Sequence, residues 1–113
     1  MPTLAQHFER SEPDVHATYE RILKAARACG PVGEEPKKTS IHLTRRTAFA
    51  GVATRRNALI LTVKAATDID SERIMKHEKT SANRWHLQVK LEHPRDVDAP
   101  VLGWIEQAYG LAE

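Results

Sequence analysis

Cysteine and long apolar runs are scarce in this chain. Cys29 is the one cysteine among 113 residues, so no internal disulfide can form and we expect a reducing, cytoplasmic compartment. No segment approaches the roughly 18 consecutive apolar residues that a membrane-spanning helix requires, so we expect no membrane association. The stretch from Met1 to Asp14 has no apolar run either, which argues against a signal peptide.

Aromatic residues are also few, with two each of Phe, Trp and Tyr. Proteins that bind single-stranded nucleic acid commonly stack the bases on exposed aromatic rings. Nearly all six rings here fall at positions that apolar periodicity assigns to a core, so nucleic-acid binding is a candidate that we do not favour. Trp104 is the exception, because it lies out of step with Val101 and Ile105. An exposed Trp104 would mark a surface for a partner or a homodimer.

Acidic residues are absent from Pro36 to Thr67, although the net charge of the chain is only +2. The positive charge is therefore concentrated in this stretch, which indicates an anionic partner. Its basic residues are Lys37, Lys38, Arg45, Arg46, Arg55, Arg56 and Lys64.

Apolar periodicity predicts helices towards both ends of the chain. A capping box at Thr3 favours a short helical turn, and a longer helix is predicted from about Glu12 to Ala28, ended by Gly30. A final helix is predicted to start at Asp96 to Asp98 and to end at Gly110.

Alternation of apolar and polar residues predicts four strands between these helices. They are Thr39 to Thr44, Ala48 to Ala53, Ala58 to Val63, and Trp85 to Leu91. Gly51 in the second strand indicates a bulge or a close backbone approach. Gly33 to Pro36 is predicted to be a connector, and Ala65 to Arg84 a polar loop with one helical turn. The predicted fold is one α+β domain over residues 1–113, in the order α-β-β-β-loop-β-α. Its two layers are an antiparallel sheet of about four strands and helices packed on one face.

In such a sheet the basic residues divide between two ends. Lys38 lies with Arg55 and Arg56 at one end, whereas Arg46 and Lys64 lie at the other. Cationic, hydroxyl and imidazole groups together can bind phosphate or carboxylate, which makes seven residues ligand candidates. They are Arg46, Ser81, Asn83, Arg84, His86, Lys38 and Thr39. Lys38 and Arg46 are expected to lie roughly 25 Å apart, too far for one small ligand to contact both backbones. The Arg46 end of the sheet, together with His86, is therefore the better candidate for a single pocket. The alternative is that charged turns only keep the strand ends soluble.

Catalytic and metal motifs are not evident in the sequence. His77-Glu78 lacks the second histidine of a zinc-protease motif, since Ser81 occupies that position. His42 and His86 could share a metal only if their strands were neighbours, and no Cys or carboxylate completes the set. We therefore predict no catalytic residue, no metal and no cofactor. A small enzyme that uses His86 as acid or base is the least favoured hypothesis.

An ordered set of residues along nearly the whole chain resembles a known family. The set comprises His7-Phe8, Tyr19, Leu23, Gly30-Pro31-Val32, Glu35 to Ile41, Arg46, Phe49-Ala50, His86, Val89, Leu91, Asp96-Val97-Asp98, Trp104 and Ala108-Tyr109. It is similar to the mainly bacterial family catalogued as domain of unknown function 5655, which implies no established activity. We expect an uncharacterised small soluble protein, a non-catalytic binding or interaction module. Its polar sheet end would accept a small anionic ligand.

Overall fold

Two helices form at the N-terminal side, the first with a side-chain cap and the second with Pro13 in its first turn and a regular apolar spacing. The computed structural model describes residues 3–112. Helix α1, Leu4–Phe8, is held by the predicted capping box between Thr3 and Gln6. Helix α2, Pro13–Cys29, ends at Gly30, whose φ of 152° favours glycine. Within the described residues, none of the helices has the length and apolar character to cross a membrane.

A six-stranded antiparallel sheet follows, with strand order β1-β2-β3-β4-β6-β5. The strands are β1 (Gly33–Pro36), β2 (Ile41–Thr44), β3 (Ala48–Thr54), β4 (Leu59–Ala65), β5 (Ile74–Ser81) and β6 (Arg84–Leu91). The first four form a meander, and β6 pairs with β4 as well as with β5. Consequently β1 and β5 are the two edge strands.

The α+β class with an antiparallel sheet is confirmed, but the sheet has six strands where about four were predicted. The predicted connector Gly33–Pro36 is strand β1, and part of the predicted loop is strand β5. Both were missed for the same reason. An edge strand that no helix covers has little apolar surface to bury, so it lacks the alternation that reveals a strand. In β5, Ile74 alone is buried.

The C-terminal helix completes the layer that covers one face of the sheet. A 3-10 turn, Pro94–Asp96, leads from β6 into α3, Ala99–Leu111. The core lies between the helices and the inner residues of the sheet. Its largest fully buried side chains include Tyr19, Phe49, Ile22, Ile41, Leu43, Leu59, Leu61, Leu87, Leu91 and Ile105.

Trp104 belongs to this core, with 8% of its surface exposed. Helix α3 buries residues at positions 101, 104, 105, 108 and 109, which is the spacing of a single helical face. The expectation that Trp104 lies out of step was therefore wrong, because position 104 is three residues after Val101 and four before Ala108 and so shares their face. The proposed homodimer surface required an exposed Trp104, and that condition is not met.

Replacing Trp104 by alanine should destabilise the protein by about 3 kcal/mol, because truncating a buried Trp leaves a cavity. Urea unfolding of the two proteins measures the difference. Leu102→Ala in the same helix is the control, since Leu102 is only half-buried. A loss for Trp104→Ala no larger than that for Leu102→Ala would contradict the burial of Trp104 in the core.

Asp96 should stabilise the protein in a pH-dependent way. Its Oδ2 accepts hydrogen bonds from the backbone N of Glu92 and His93, at 2.9 and 3.1 Å. The hydrogen bond from Glu92 is the main cause that holds the pKa of Asp96 below its ordinary value. Because the folded-state pKa is the lower one, the stabilisation is present above the unfolded pKa, about 3.9, and is lost as pH falls.

Asp96→Ala should therefore cost about 1 kcal/mol at neutral pH, the usual loss when a capping side chain is removed. The difference from wild type should shrink as pH drops below about 4. Chemical unfolding across pH measures it, and Asp70→Ala at an exposed position is the control. A difference that stays constant down to low pH would show that the Asp96 carboxylate has no such role.

Candidate functional site

The face of the sheet opposite the helices carries a concavity of about 390 Å³, which we call the trough. It lies over the middle of the sheet, across strands β2, β3, β4 and β6. Its lining residues are Ser40, His42, Ala48, Phe49, Ala50, Gly51, Ala53, Thr62, Lys64 and His86.

The floor of the trough is strand β3, which turns only small residues outwards. Leu43 pairs with Ala50 and Thr44 pairs with Ala48, so Phe49 is the extra residue of a β-bulge. Phe49 and Ala50 are both buried. The outward positions of β3 are left to residues 48, 51 and 53, which are alanine, glycine and alanine. No long side chain fills the space above them, and this is why a hollow forms there.

Polar side chains form the two walls. Ser40 and His42 come from the β2 side, and Thr62, Lys64 and His86 come from β4 and β6. Lys64 and His86 are register partners, so their Cβ atoms lie about 5 Å apart. His42 pairs with Gly51, and Gly51 pairs with Thr62. Two strand spacings, roughly 10 Å, therefore separate the His42 wall from the Thr62 wall.

The electrostatic character of the trough favours an anion. The described residues that line it include no Asp or Glu. Its hydroxyls, imidazoles and ammonium group can all donate hydrogen bonds, and the ammonium group of Lys64 adds a full positive charge. The nearest acidic group to His86 is Glu78 on the outer strand β5, with 3.8 Å between Oε1 and Nδ1. Glu78 stands at the rim and is not part of the lining.

The predicted ligand residues occupy several separate places. His86 lines the trough, as described above. Ser81 and Asn83 lie with Arg84 in the β5–β6 hairpin, where the Arg84 guanidinium donates to the Asn83 carbonyl at 2.7 Å. Arg46 lies in the β2–β3 turn at the same end of the sheet, but strand β4 lies between that turn and the β5–β6 hairpin. The structure does not gather these residues into one pocket with His86.

Lys38 and Thr39 lie in the β1–β2 turn, at the opposite end of the sheet from Arg46. The division of the basic residues into two groups thus matches the predicted meander. That Lys38, Thr39, Arg46, Ser81, Asn83 and Arg84 take part in ligand binding stays a prediction.

Another concavity, of about 530 Å³, lies next to α1. Arg10, Arg55 and Arg56 contribute to its lining, together with the acidic Glu9. Backbone carbonyl groups at this concavity accept hydrogen bonds that stabilise the fold. The Ser11 hydroxyl donates to the Arg55 carbonyl, and the Glu12 amide donates to the Arg56 carbonyl. The three arginines are exposed, so solvent screens them more than the half-buried Lys64 in the trough.

Arg45 has a structural role as well. Its guanidinium stacks over the Tyr109 ring, 4.5 Å from the centroid, and donates to the Tyr109 carbonyl at 3.2 Å. This basic residue therefore ties the β2–β3 turn to α3.

The two trough histidines do not form a metal pair. Strand order places β3 and β4 between the strands that carry His42 and His86. Across residues 3–112, no three side chains of His, Cys, Asp or Glu come together as metal ligands. The condition on which a shared metal depended, neighbouring strands, is thus not fulfilled.

Comparison with known families identifies the family of this chain. The model of the family described as "Domain of unknown function (DUF5655)" matches residues 4–112. The chain belongs to this family. The resemblance seen in the sequence is thereby confirmed for this DUF5655 member. No curated protein and no solved structure gives a significant match.

Sequence reasoning missed Ser40, Gly51 and Thr62 as parts of the site. The available signal was their outward phase on three strands, together with the unusual run of small residues in β3. Those strands had been predicted, and Gly51 had indicated a bulge or a close backbone approach in the second of them. The bulge lies two residues away, at Phe49, and it is what empties the floor.

Proposed function

We propose that this DUF5655 member is a non-catalytic binding module whose trough takes a small anion, a phosphate or a carboxylate group. The supporting observation is that Lys64, His86 and His42 surround a floor of small residues, without an acidic side chain among the described lining residues. Lys64 and His86 are both half-buried. Hydrogen bonds from a partly desolvated ammonium group, such as that of Lys64, are stronger than those from a fully exposed one.

The anion sits between Lys64 and His86 in this proposal, with the hydroxyl of Thr62 completing the donor set. Thr62 and Lys64 alternate with buried residues on β4, so their side chains point to the same face. A phosphate group offers enough acceptor oxygens for all three donors. Arg46 and Arg84, at the same sheet end, add positive potential that guides the anion towards the trough.

Two other functions are alternatives. An enzyme that uses His86 gains some support, because 37% of the His86 side chain is exposed and it lines a hollow. A nucleic-acid accessory role gains less, since Phe49 is the one Phe, Tyr or Trp among the described trough residues, and it points inwards. A cytoplasmic location fits the single, unpaired Cys29 and is part of the proposal.

Titration with inorganic phosphate, AMP and acetate, followed by calorimetry and thermal unfolding, tests the proposal. At 100 times the dissociation constant, a ligand adds about 2.7 kcal/mol of stability, which raises the melting temperature by about ten degrees for a domain of this size. Lys64→Ala should weaken binding by about tenfold, the worth of one charge-assisted hydrogen bond. Lys79→Ala removes the same charge from an exposed site outside the trough lining and should leave affinity unchanged.

Gly51→Val provides a second, independent variant. A Cβ at Gly51 would lie 3.9 Å from His42 Cδ2, an ordinary contact, and valine favours strands, so the fold should persist. The added side chain would occupy the floor and abolish binding. Unchanged binding by Gly51→Val, or no stabilisation of the wild type by any of the three anions, would overturn the proposal.

An oligonucleotide titration at several salt concentrations separates the nucleic-acid alternative. Binding of that kind weakens steeply as salt rises, because phosphate contacts release counterions. Tight, salt-sensitive oligonucleotide binding without any AMP or phosphate binding would favour that alternative over the trough proposal.

A further inference from the structure

A second hollow adjoins the trough on the same face of the sheet, and we call it the shelf. Its lining residues are Ala53, Arg55, Asn57, Ala58, Ile60, Thr62, Met75, Gln88 and Lys90. Ala53 and Thr62 line both hollows, so the trough continues directly into the shelf.

The shelf carries an exposed apolar surface. Met75 is 59% exposed, and among the described residues it is the one large apolar side chain with that degree of exposure. A register shift between Ile74 and Lys76 leaves Met75 unpaired as the extra residue of the edge strand. Ile60 is half-buried on β4 and shares the shelf lining with Met75. An unbranched Met side chain adapts readily to an apolar ligand.

The apolar shelf lies within reach of a ligand whose charged group is bound in the cationic trough. Lys64 and Ile60 lie four residues apart on β4, and both point to the open face, which separates them by roughly 13 Å. Met75 lies two strands further out from β4, beyond β6. A ligand with its charged group at Lys64 and an extended chain could therefore reach Ile60 and Met75.

We propose that the natural ligand is an anionic amphiphile, with a phosphate or carboxylate head and a short alkyl chain. The head binds Lys64 and His86, and the chain lies over Ile60 towards Met75. This inference rests on the proposed function and names the ligand class of the same site. The occupant is a free molecule and not a bilayer, since the shelf offers a single strongly exposed apolar side chain, far less than an interfacial membrane anchor.

Binding of methyl phosphate and octyl phosphate, each below the micelle concentration, tests the inference by calorimetry. The two probes share the head group and differ only in the chain. Partial burial of several methylene groups should make octyl phosphate bind about tenfold tighter or more. In the Met75→Gln variant, the ratio of octyl phosphate affinity to methyl phosphate affinity should fall to less than half of its wild-type value. The affinity for methyl phosphate should be unchanged. Lys79→Gln in the same edge strand is the matched control and should preserve the advantage.

The other possible results contradict either the amphiphile inference or the anion site itself. Equal affinities for the two phosphates would overturn the amphiphile inference and leave the anion site intact. Binding of neither would overturn the site itself. An octyl advantage that survives Met75→Gln, or binding to anionic phospholipid vesicles without binding to octyl phosphate, would also overturn the inference.

Discussion

The β-bulge at Phe49 determines how the two faces of the sheet are built. It turns two successive residues, Phe49 and Ala50, towards the helices. Phe49 then meets the Tyr109 ring edge-to-face, with 5.3 Å between centroids, a contact worth about 1 kcal/mol beyond burial. Tyr109 in turn donates to the Pro31 carbonyl at 3.0 Å and packs under Arg45. The bulge thus links strand β3, helix α3 and the segment after α2.

The same bulge shapes the open face by removing a side chain from it. A regular strand would place an outward residue next to Lys64, whereas here the extra residue points inwards. Gly51 extends the empty strip along β3. Core packing on one side and a hollow on the other are therefore two results of one irregularity. This relation ties the stability of the fold to the shape of the candidate site.

Much of the fold could be predicted from the sequence because burial leaves a periodic trace. Helix α2 and strands β2, β3, β4 and β6 pack against the core, and their apolar spacing revealed them. Strands β1 and β5 lie at the edges, where backbone pairing alone defines them, and no periodic signal was present. Trp104 was misplaced because α3 is apolar on much of its surface, so its phase is poorly determined by spacing.

The candidate site was only partly predictable for a different reason. The acid-free stretch located the positive charge correctly, and His86 was among the predicted ligand residues. However, charge at turns is visible in a sequence, whereas a hollow is made by absent side chains. Its position depends on a bulge and on strand order, which bring Gly51, Lys64 and His86 onto one face. Gly51 indicated a bulge in β3, but the sequence determined neither the position of the bulge nor the strand order.

An amide NMR titration with inorganic phosphate measures directly whether the trough is where this protein binds an anion. Binding in the trough predicts saturable shift changes at Gly51, Thr62, Lys64 and His86. Changes confined to the arginines beside α1, or no saturable change anywhere, would contradict it.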